Sequence, residues 1–401
     1  MTNVLEFEAA LAVVREHAAG LVAVAGVETV GLLAARGRVL AEEIRADRDQ
    51  PPFDRATRDG FAVRAGEFGL GVPVRVVGMV KAGEQWLGKV MEAGEAIEIM
   101  TGAPVPEGAD AVVMVEHVVR DGETVKAEAG RTWRVGESIV PRGREAKAGD
   151  VVVAAGTVMG AAEIAMGSAC GCVSVVVKRR VRVAIAATGD ELVELEETPG
   201  EIQIRNSNSY GLAAMVEAAG GEAVRLPITA DERGAVASTL RRALECDLIV
   251  LSGGVSMGEY DLVEEMLTVA GAEFFFTGVK MQPGKPVVFG RMGEKLFFGL
   301  PGNPISTQVT FHCFVEPVLR ALGGAGFTGP RFGLARMSGA GERKAGLTRL
   351  LPGRLDGTDV SVVGWQGSGD LAANARANCY VELLPGDGEV EAGEIVRVLW
   401  R

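Results

Sequence analysis

The run DLIVLSGGVSMGEYD, residues 247–261, limits the fold more than any other stretch of the chain. Its first five residues are almost purely apolar, which fits a strand buried on both faces of a parallel sheet. SGGVS then ends the run. Ser252, Gly253, Gly254 and Ser256 offer backbone amides and hydroxyls without bulk, and Glu259 and Asp261 bring carboxylates into the same loop, ahead of a helix-like segment. Alone, Gly-Gly after a strand is an ordinary tight turn, so the surrounding pattern has to decide whether this is a ligand loop.

That pattern is alternation. From residue 181 the chain reads strand VRVAIAAT, loop GDEL, a helix at 209–219, strand EAVRLPI, a helix at 232–244 and strand DLIVL. A helix at 262–269, strands AEFFFTGV, KPVVFG and EKLFFGL and a helix at 305–322 follow, completing a doubly wound α/β domain. Ligands of such folds bind beyond the carboxyl ends of the strands. Four polar loops fall there: 188–191, Asp231, 252–261, and 300–304 with its LPGNP turn. They supply the carboxylates Asp190, Glu191, Asp231 and Asp261 and the narrow backbone of Gly189, Gly253, Gly254 and Gly302. Carboxylates repel phosphate unless a cation lies between, so this combination points to Mg²⁺ bridging a phosphate or pyrophosphate ester. Lys285 in PGKP, with Lys280 nearby, is the basic counterpart.

The segment before this domain has a different texture. Residues 5–17 and 29–44 read as two helices. From 47 to 143 short valine-rich strands with frequent glycine and proline describe a β domain. Two polar turns interrupt it, QPPFDRATRDGFAV (50–63), which crowds Asp54, Arg55, Arg58 and Asp59, and IMTGAPVPEGADAVVMVE (99–116), which carries Thr101. Arg131, Arg134, Arg142 and Arg144 form a basic run. Residues 151–177 hold a single charge, Glu163, over a length that could span a bilayer. Valine blocks flank a Gly/Ala-rich middle there, which reads as strand, helix, strand packed on the N-terminal helices, with the β domain inserted between; a mid-span acid would be costly in lipid. Lys178, Arg179 and Arg180 form a basic hinge, and beyond residue 323 a glycine-rich linker leads to a last unit of short strands containing WQGSGD (365–370).

Composition bounds the function. The 401 residues, 48% hydrophobic, have room for two to four domains. A net charge of −12, from 53 acidic and 41 basic residues, argues against general affinity for nucleic acid or anionic membrane. Five scattered cysteines make no disulfide framework, three histidines make no zinc spacing, and the N-terminus lacks a secretory pattern, so a reducing cytoplasm is the expected setting.

Together, PPFDRATRDGFAV, MTGAPVPEGADAVVMVE, TGDEL, SGGVSMGEYD, QPGKP, GLPGNPIS and WQGS resemble the molybdopterin molybdenumtransferase family, the bacterial MoeA proteins and their relatives in the gephyrin E domain. The motifs keep the family's order and cover nearly the whole chain. The resemblance implies an enzyme that takes adenylylated molybdopterin and molybdate and, with Mg²⁺, inserts molybdenum while AMP leaves. It implies four segments: an elongated α+β N-terminal and dimerisation domain (1–45 with 145–177), an inserted β domain (46–144), a MogA-like molybdopterin- and nucleotide-binding α/β domain (178–324) and a C-terminal β domain (325–401).

Carried over by motif, Asp59, Thr101, Glu191, Asp231, Asp261 and Lys285 are catalytic. Thr188, Gly189, Asp190, Ser252, Gly253, Gly254, Ser256, Pro301, Gly302, Pro304 and Ser368 bind the cofactor substrate, and Asp190, Glu191, Asp231 and Asp261 hold the metal. The family forms homodimers in which Asp59 and Thr101 face the α/β domain of the partner copy. Expected partners are a molybdopterin adenylyltransferase and molybdoenzyme acceptors. The chain departs from the family's pattern at Val140, Glu145, Gln282 and Arg58. The α/β domain also resembles molybdopterin adenylyltransferases and competence-damage-type pyrophosphatases, and a gephyrin-like scaffold is the non-catalytic alternative.

Overall fold

An apolar stripe at helical spacing opens the described chain: Phe7, Ala10, Val14 and Ala18 are all buried along α1 (Phe7–Ala19). A computed structural model describes residues 3–21, 23–24, 26–254, 262–326 and 329–401, grouped into two units. The first unit is 1–41, 156–160 and 174–401; the second is 42–155 and 161–173. α1 lies within the α/β core, packed on Val318 and Phe314, because that is where its stripe is covered.

The α/β part of the first unit is built from β1 (Arg182–Ala187), α2 (Ser207–Ala218), β2 (Glu222–Arg225), α3 (Arg233–Ala243), β3 (Leu248–Ser252) and α4 (Leu262–Val269). It continues with β4 (Glu273–Phe276), β5 (Val288–Met292), β6 (Lys295–Leu300), α5 (Pro304–Thr310) and α6 (Glu316–Leu322). One six-stranded sheet runs β2-β1-β3-β6-β5-β4, the first four strands parallel and β5 antiparallel to its neighbours. Both faces are covered, by one core containing α1, α2, α5 and α6 and another containing α3 and α4. This is why β1 and β3 carry no polar alternation. Ala187 pairs with Ser252 and Ser252 with Leu300, so the loops that follow β1, β3 and β6 start level with one another. Between α5 and α6 the helix widens to a π turn at Phe311–Val315, just ahead of Pro317, which has no N–H to give the carbonyl four residues back.

The C-terminal part closes on itself. β7 (Phe332–Met337), β8 (Thr348–Asp356), β9 (Asp359–Val362), β10 (Cys379–Leu383) and β11 (Ile395–Trp400) pair in the closed ring β8-β9-β7-β11-β10-β8. It is tied to the α/β part where Met281–Gln282 pairs with β8 and where Trp365 packs against both cores.

The second unit centres on a six-stranded sheet in the order 111–114, 60–63, 95–99, 74–80, 124–127, 118–121. Gly60 is obligatory, since a Cβ there would lie 1.8 Å from the Val113 carbonyl oxygen.

One expected helix is absent. Residues 29–44 form the end of a strand (Val27–Gly31), a short 3-10 turn (Leu32–Ala35), bridges at Val39 and Leu40, and a strand at Ile44–Arg45. The β-branched VETV run pairs antiparallel with Ser174–Lys178, and Gly37 at φ +73° breaks any helix. Residues 151–177 do form strand, helix and strand, at Val151–Val153, Ala161–Ala169 and Ser174–Lys178. Among the described residues no helix is long and apolar enough to cross a membrane.

Candidate functional site

Level strand ends bring the loops of three strands together. Thr188 follows β1, and its amide donates to the Ser252 carbonyl (3.2 Å); the Gly253 amide donates to the Leu300 carbonyl (3.2 Å). Gly253 and Gly254 both sit at positive φ, +86° and +62°. A Cβ on Gly253 would lie 2.7 Å from the Thr188 carbonyl oxygen, and one on Gly254 would lie 2.6 Å from Thr188 Oγ1. Both glycines are thus required twice, by conformation and by space. The turn has the bare backbone that an approaching anion needs.

Next to it Asn208, at the start of α2, donates from Nδ2 to Ser252 Oγ (3.0 Å) and to the Gly302 carbonyl (2.7 Å). One side chain therefore ties the β3 loop to the β6 loop. Asn206 caps α2, accepting from the Ser209 amide (3.2 Å), while its own Nδ2 is buried without a partner. Thr188 Oγ1 is likewise buried, and neither atom has a partner among the described residues. Unmet hydrogen-bonding groups in a core cost stability, and both residues also line the adjacent cavity.

The cavity is real. About 700 Å³ of space is enclosed by Thr188, Glu191, Asn208, Gly253, Asn303 and Leu371 among others. Its far wall comes from the C-terminal part: the Ser368 carbonyl accepts from the Ile305 amide (2.9 Å), Gly369 lines the space, and Asp370 caps α7 (Leu371–Arg376) by accepting from the Ala373 amide (2.9 Å). The near wall is a short parallel ladder, Leu192–Val193 with Ile204–Arg205.

The acidic lip lies beside this space. The Asp231 amide donates to Asp190 Oδ1 (3.2 Å), and the Glu191 carboxylate folds over Gly189, so close that a Cβ on that glycine would lie 2.5 Å from it. Partial desolvation first, then the negative charges of Asp190 and Glu191, raise the Asp231 carboxyl above its ordinary range. Hard oxygen donors that repel one another suit a divalent cation. Among the described residues no three His, Cys, Asp or Glu side chains converge on a single point. Asp261 and Ser256, expected in the same set, and Glu259 lie outside the described residues.

Other expected residues are placed as follows. Pro301 accepts at its carbonyl from Thr307 Oγ1 (2.6 Å), and Pro304 begins α5 and lines the cavity. Lys285 is exposed, its carbonyl accepting from the Val279 amide (2.9 Å); because β5 runs antiparallel, the loop before it sits at the edge where the parallel strands end. In the second unit the Asp59 carboxylate accepts from both the amide (2.6 Å) and the hydroxyl (2.7 Å) of Thr101, bonds that hold it below its ordinary range. Of the positions that depart from the family pattern, Glu145 pairs with Arg55 (2.8 Å) and Val140 pairs in a ladder with Arg55. Lys280 and Arg142, the basic neighbours of those positions, are engaged by Glu6 (2.5 Å) and Asp49 (2.7 Å).

Asn206, Ser207, Asn208 and Asn303 had not been expected in the site. The signal for the first three was present: RNSNS is a cluster of cap-forming residues immediately before an apolar helix.

Family models match the chain in three consecutive pieces: the MoeA N-terminal region (domain I and II) at residues 5–171, a probable molybdopterin binding domain at 184–321, and the MoeA C-terminal region (domain IV) at 335–400. A molybdopterin molybdenumtransferase of Nostoc sp. is 36% identical over 389 residues, 93% of this chain and 88% of that protein. That of Haemophilus influenzae is 32% identical over 92% of this chain and 93% of its own. Among solved structures, the molybdopterin biosynthesis MoeA protein of Pyrococcus horikoshii OT3 matches with a TM-score of 0.81 at 28% identity, covering 99% of this chain and 100% of that one.

Proposed function

The chain belongs to the molybdopterin molybdenumtransferase family, a transferase of molybdenum cofactor biosynthesis, and from that premise we propose how its strand-end cleft does the work. The cleft takes adenylylated molybdopterin, with its pyrophosphate along the glycine wall of Gly253, Gly254 and Gly302 and at the amino end of α2. Molybdate enters beside it, molybdenum is inserted into the dithiolene, and AMP leaves. One observation carries this reading: a cavity of about 700 Å³ in which a bare-backbone anion cradle meets an acidic lip.

Asn208 holds Ser252 and Gly302 in place beside the substrate. Asp190, Glu191 and Asp231, together with Asp261, would be the oxygen donors for a divalent cation, which would supply positive charge to offset that of a pyrophosphate. Lys285 adds positive charge at the same edge. Gly369 and Ser368 close the far side. Asp59 and Thr101 act on the cleft of a partner copy, so the working unit is a homodimer in the cytoplasm; a molybdopterin adenylyltransferase supplies its substrate and apo-molybdoenzymes take its product.

The test is direct. Purified protein given adenylylated molybdopterin, Mg²⁺ and molybdate should release AMP and yield a cofactor that activates an apo-molybdoenzyme. Cleavage that proceeds equally without molybdate and gives no active cofactor would overturn the insertion step.

A further inference from the structure

The α/β sheet has a second cavity, at the opposite edge, where β1 begins. It encloses about 200 Å³ and is lined by five cationic residues, Arg38, Lys178, Arg179, Arg180 and Arg320, with no acidic residue among the lining. In a chain of net charge −12 such a concentration is unusual. The remaining walls include Val39, Val158 and Leu319. β1 is six residues long, so roughly 20 Å of strand separates this cavity from the cleft at the other edge.

Structural duties account for some of this charge. Arg179 grips the Asp247 carboxylate with both terminal nitrogens (2.8 and 2.9 Å), and Arg320 pairs with Glu316 (2.8 Å). Arg180 Nη1 donates to the Gly221 carbonyl (3.3 Å) just past the end of α2, an ordinary position for a cation at a helix carboxyl end. Two observations remain. Lys178 and Arg180 have no carboxylate partner among the described residues. Arg38, whose side chain is only 6% exposed, makes both its bonds from Nη2, to the Glu28 carboxylate and the Lys178 carbonyl, so its Nε and Nη1 have no partner among the described residues although the residue lines the cavity. Glu28 offsets the charge of this guanidinium, and its remaining donors are left for an anion that enters the basic space.

We propose that this cavity is a binding site for a small tetrahedral oxyanion, taken free or as the phosphate of a short ester whose carbon chain lies on the valines. Arg38 supplies directional hydrogen bonds from the floor. Lys178 and Arg180 supply charge from the rim. The lining segments 37–39, 158 and 178–181 are also those that lead the chain to and from the second unit, so occupancy would bind them to one another.

Isothermal titration of the full chain in chloride buffer with inorganic phosphate, molybdate and glycerol 3-phosphate separates the sources. Saturable binding is expected for at least one, and preference for the ester over both free anions would mark an organic ligand. The double variant Lys178→Ala, Arg180→Ala, at half-exposed and exposed positions, should weaken that binding about tenfold or more while its thermal melt in chloride falls only by the few degrees that losing the Arg180–Gly221 bond accounts for. Ala218→Glu puts a carboxylate on the wall at an exposed position and should abolish binding, giving a second reading if the double variant melts early. No saturation by any of the three at about 20 mM, or equal affinity in wild type and both variants, overturns the site.

Discussion

Two aspartates at opposite edges of one sheet have opposite surroundings. Asp247, at the amino edge ahead of β3, is mostly buried and accepts from Arg179 twice and from the Arg182 amide (2.8 Å), with Lys295 at 3.9 Å. Burial alone would raise its carboxyl, but the Arg179 and Arg182 hydrogen bonds and the neighbouring cations outweigh it and hold the group below its ordinary range. Asp231, at the carboxyl edge, has Asp190 and Glu191 beside it in place of a cation, and its carboxyl is raised. In the first case the fold itself neutralises the charge. In the second, three acids stand together, and the repulsion among them supports the proposed cation-binding role. The lesson concerns which acids to test for function: a carboxylate satisfied within the fold has a structural account, and one surrounded by its own sign is the candidate binding group.

Single substitutions can break this contrast. On the proposed function, Asp231→Asn should lower turnover by on the order of 10²-fold, because the amide keeps the shape and loses the charge proposed to bind the cation. Its unfolding midpoint should stay the same or rise, since a repulsion is removed. Steady-state AMP release and a urea melt on the same preparation measure both, and a variant that melts early yet turns over normally would place Asp231 with the architectural acids. Asp247→Asn is the mirror experiment. It should cost about 1–2 kcal/mol of stability, discounted for the partial exposure of Arg179, and leave turnover within about twofold. A large loss of turnover with normal stability would erase the distinction between the two edges.

How much of this was legible in the sequence varies with the range of the interactions. The parallel strands were readable because burial on both faces leaves uninterrupted apolar runs such as LIVL, and glycine marks where each run meets the cleft. Residues 29–44 were misread because GRVLAEEI has helical periodicity; pairing of Val39 and Leu40 with Val158 and Val177, more than a hundred residues away, decides otherwise. The glycine cradle could be anticipated residue by residue. The remainder of the wall could not: Thr188, Asn208, Asn303 and Leu371 meet only through the register of three strands and the docking of a barrel that follows in sequence, and the Leu192–Arg205 ladder has no period to detect. Asp59 and Thr101 were singled out by motif order; that they bond to each other across 42 positions had no trace in the sequence.

The smallest expected effect is also the one that compares the two acids in a single measurement, the pH dependence of stability in chelator-treated protein. Asp247 has a folded pKa below its unfolded value of 3.8, so its contribution is fully present above about pH 4 and is lost as pH falls through the lower folded value. Asp231 is displaced the other way. Its ionised form is disfavoured by the fold, so its penalty is full above the raised folded pKa and fades as pH falls toward 3.8. Acidification of the wild type therefore removes a penalty at the carboxyl edge before it removes a support at the amino edge. Subtracting the pH profile of Asp231→Asn from the wild type should leave a step above pH 3.8 in which stability rises on acidification. The same subtraction for Asp247→Asn should leave a step below pH 3.8 in which stability falls. Steps of the same sign for the two variants would mean that the two edges are not electrostatically opposed; a step for Asp231 that vanishes when Mg²⁺ replaces the chelator would tie its raised pKa to the cation it awaits.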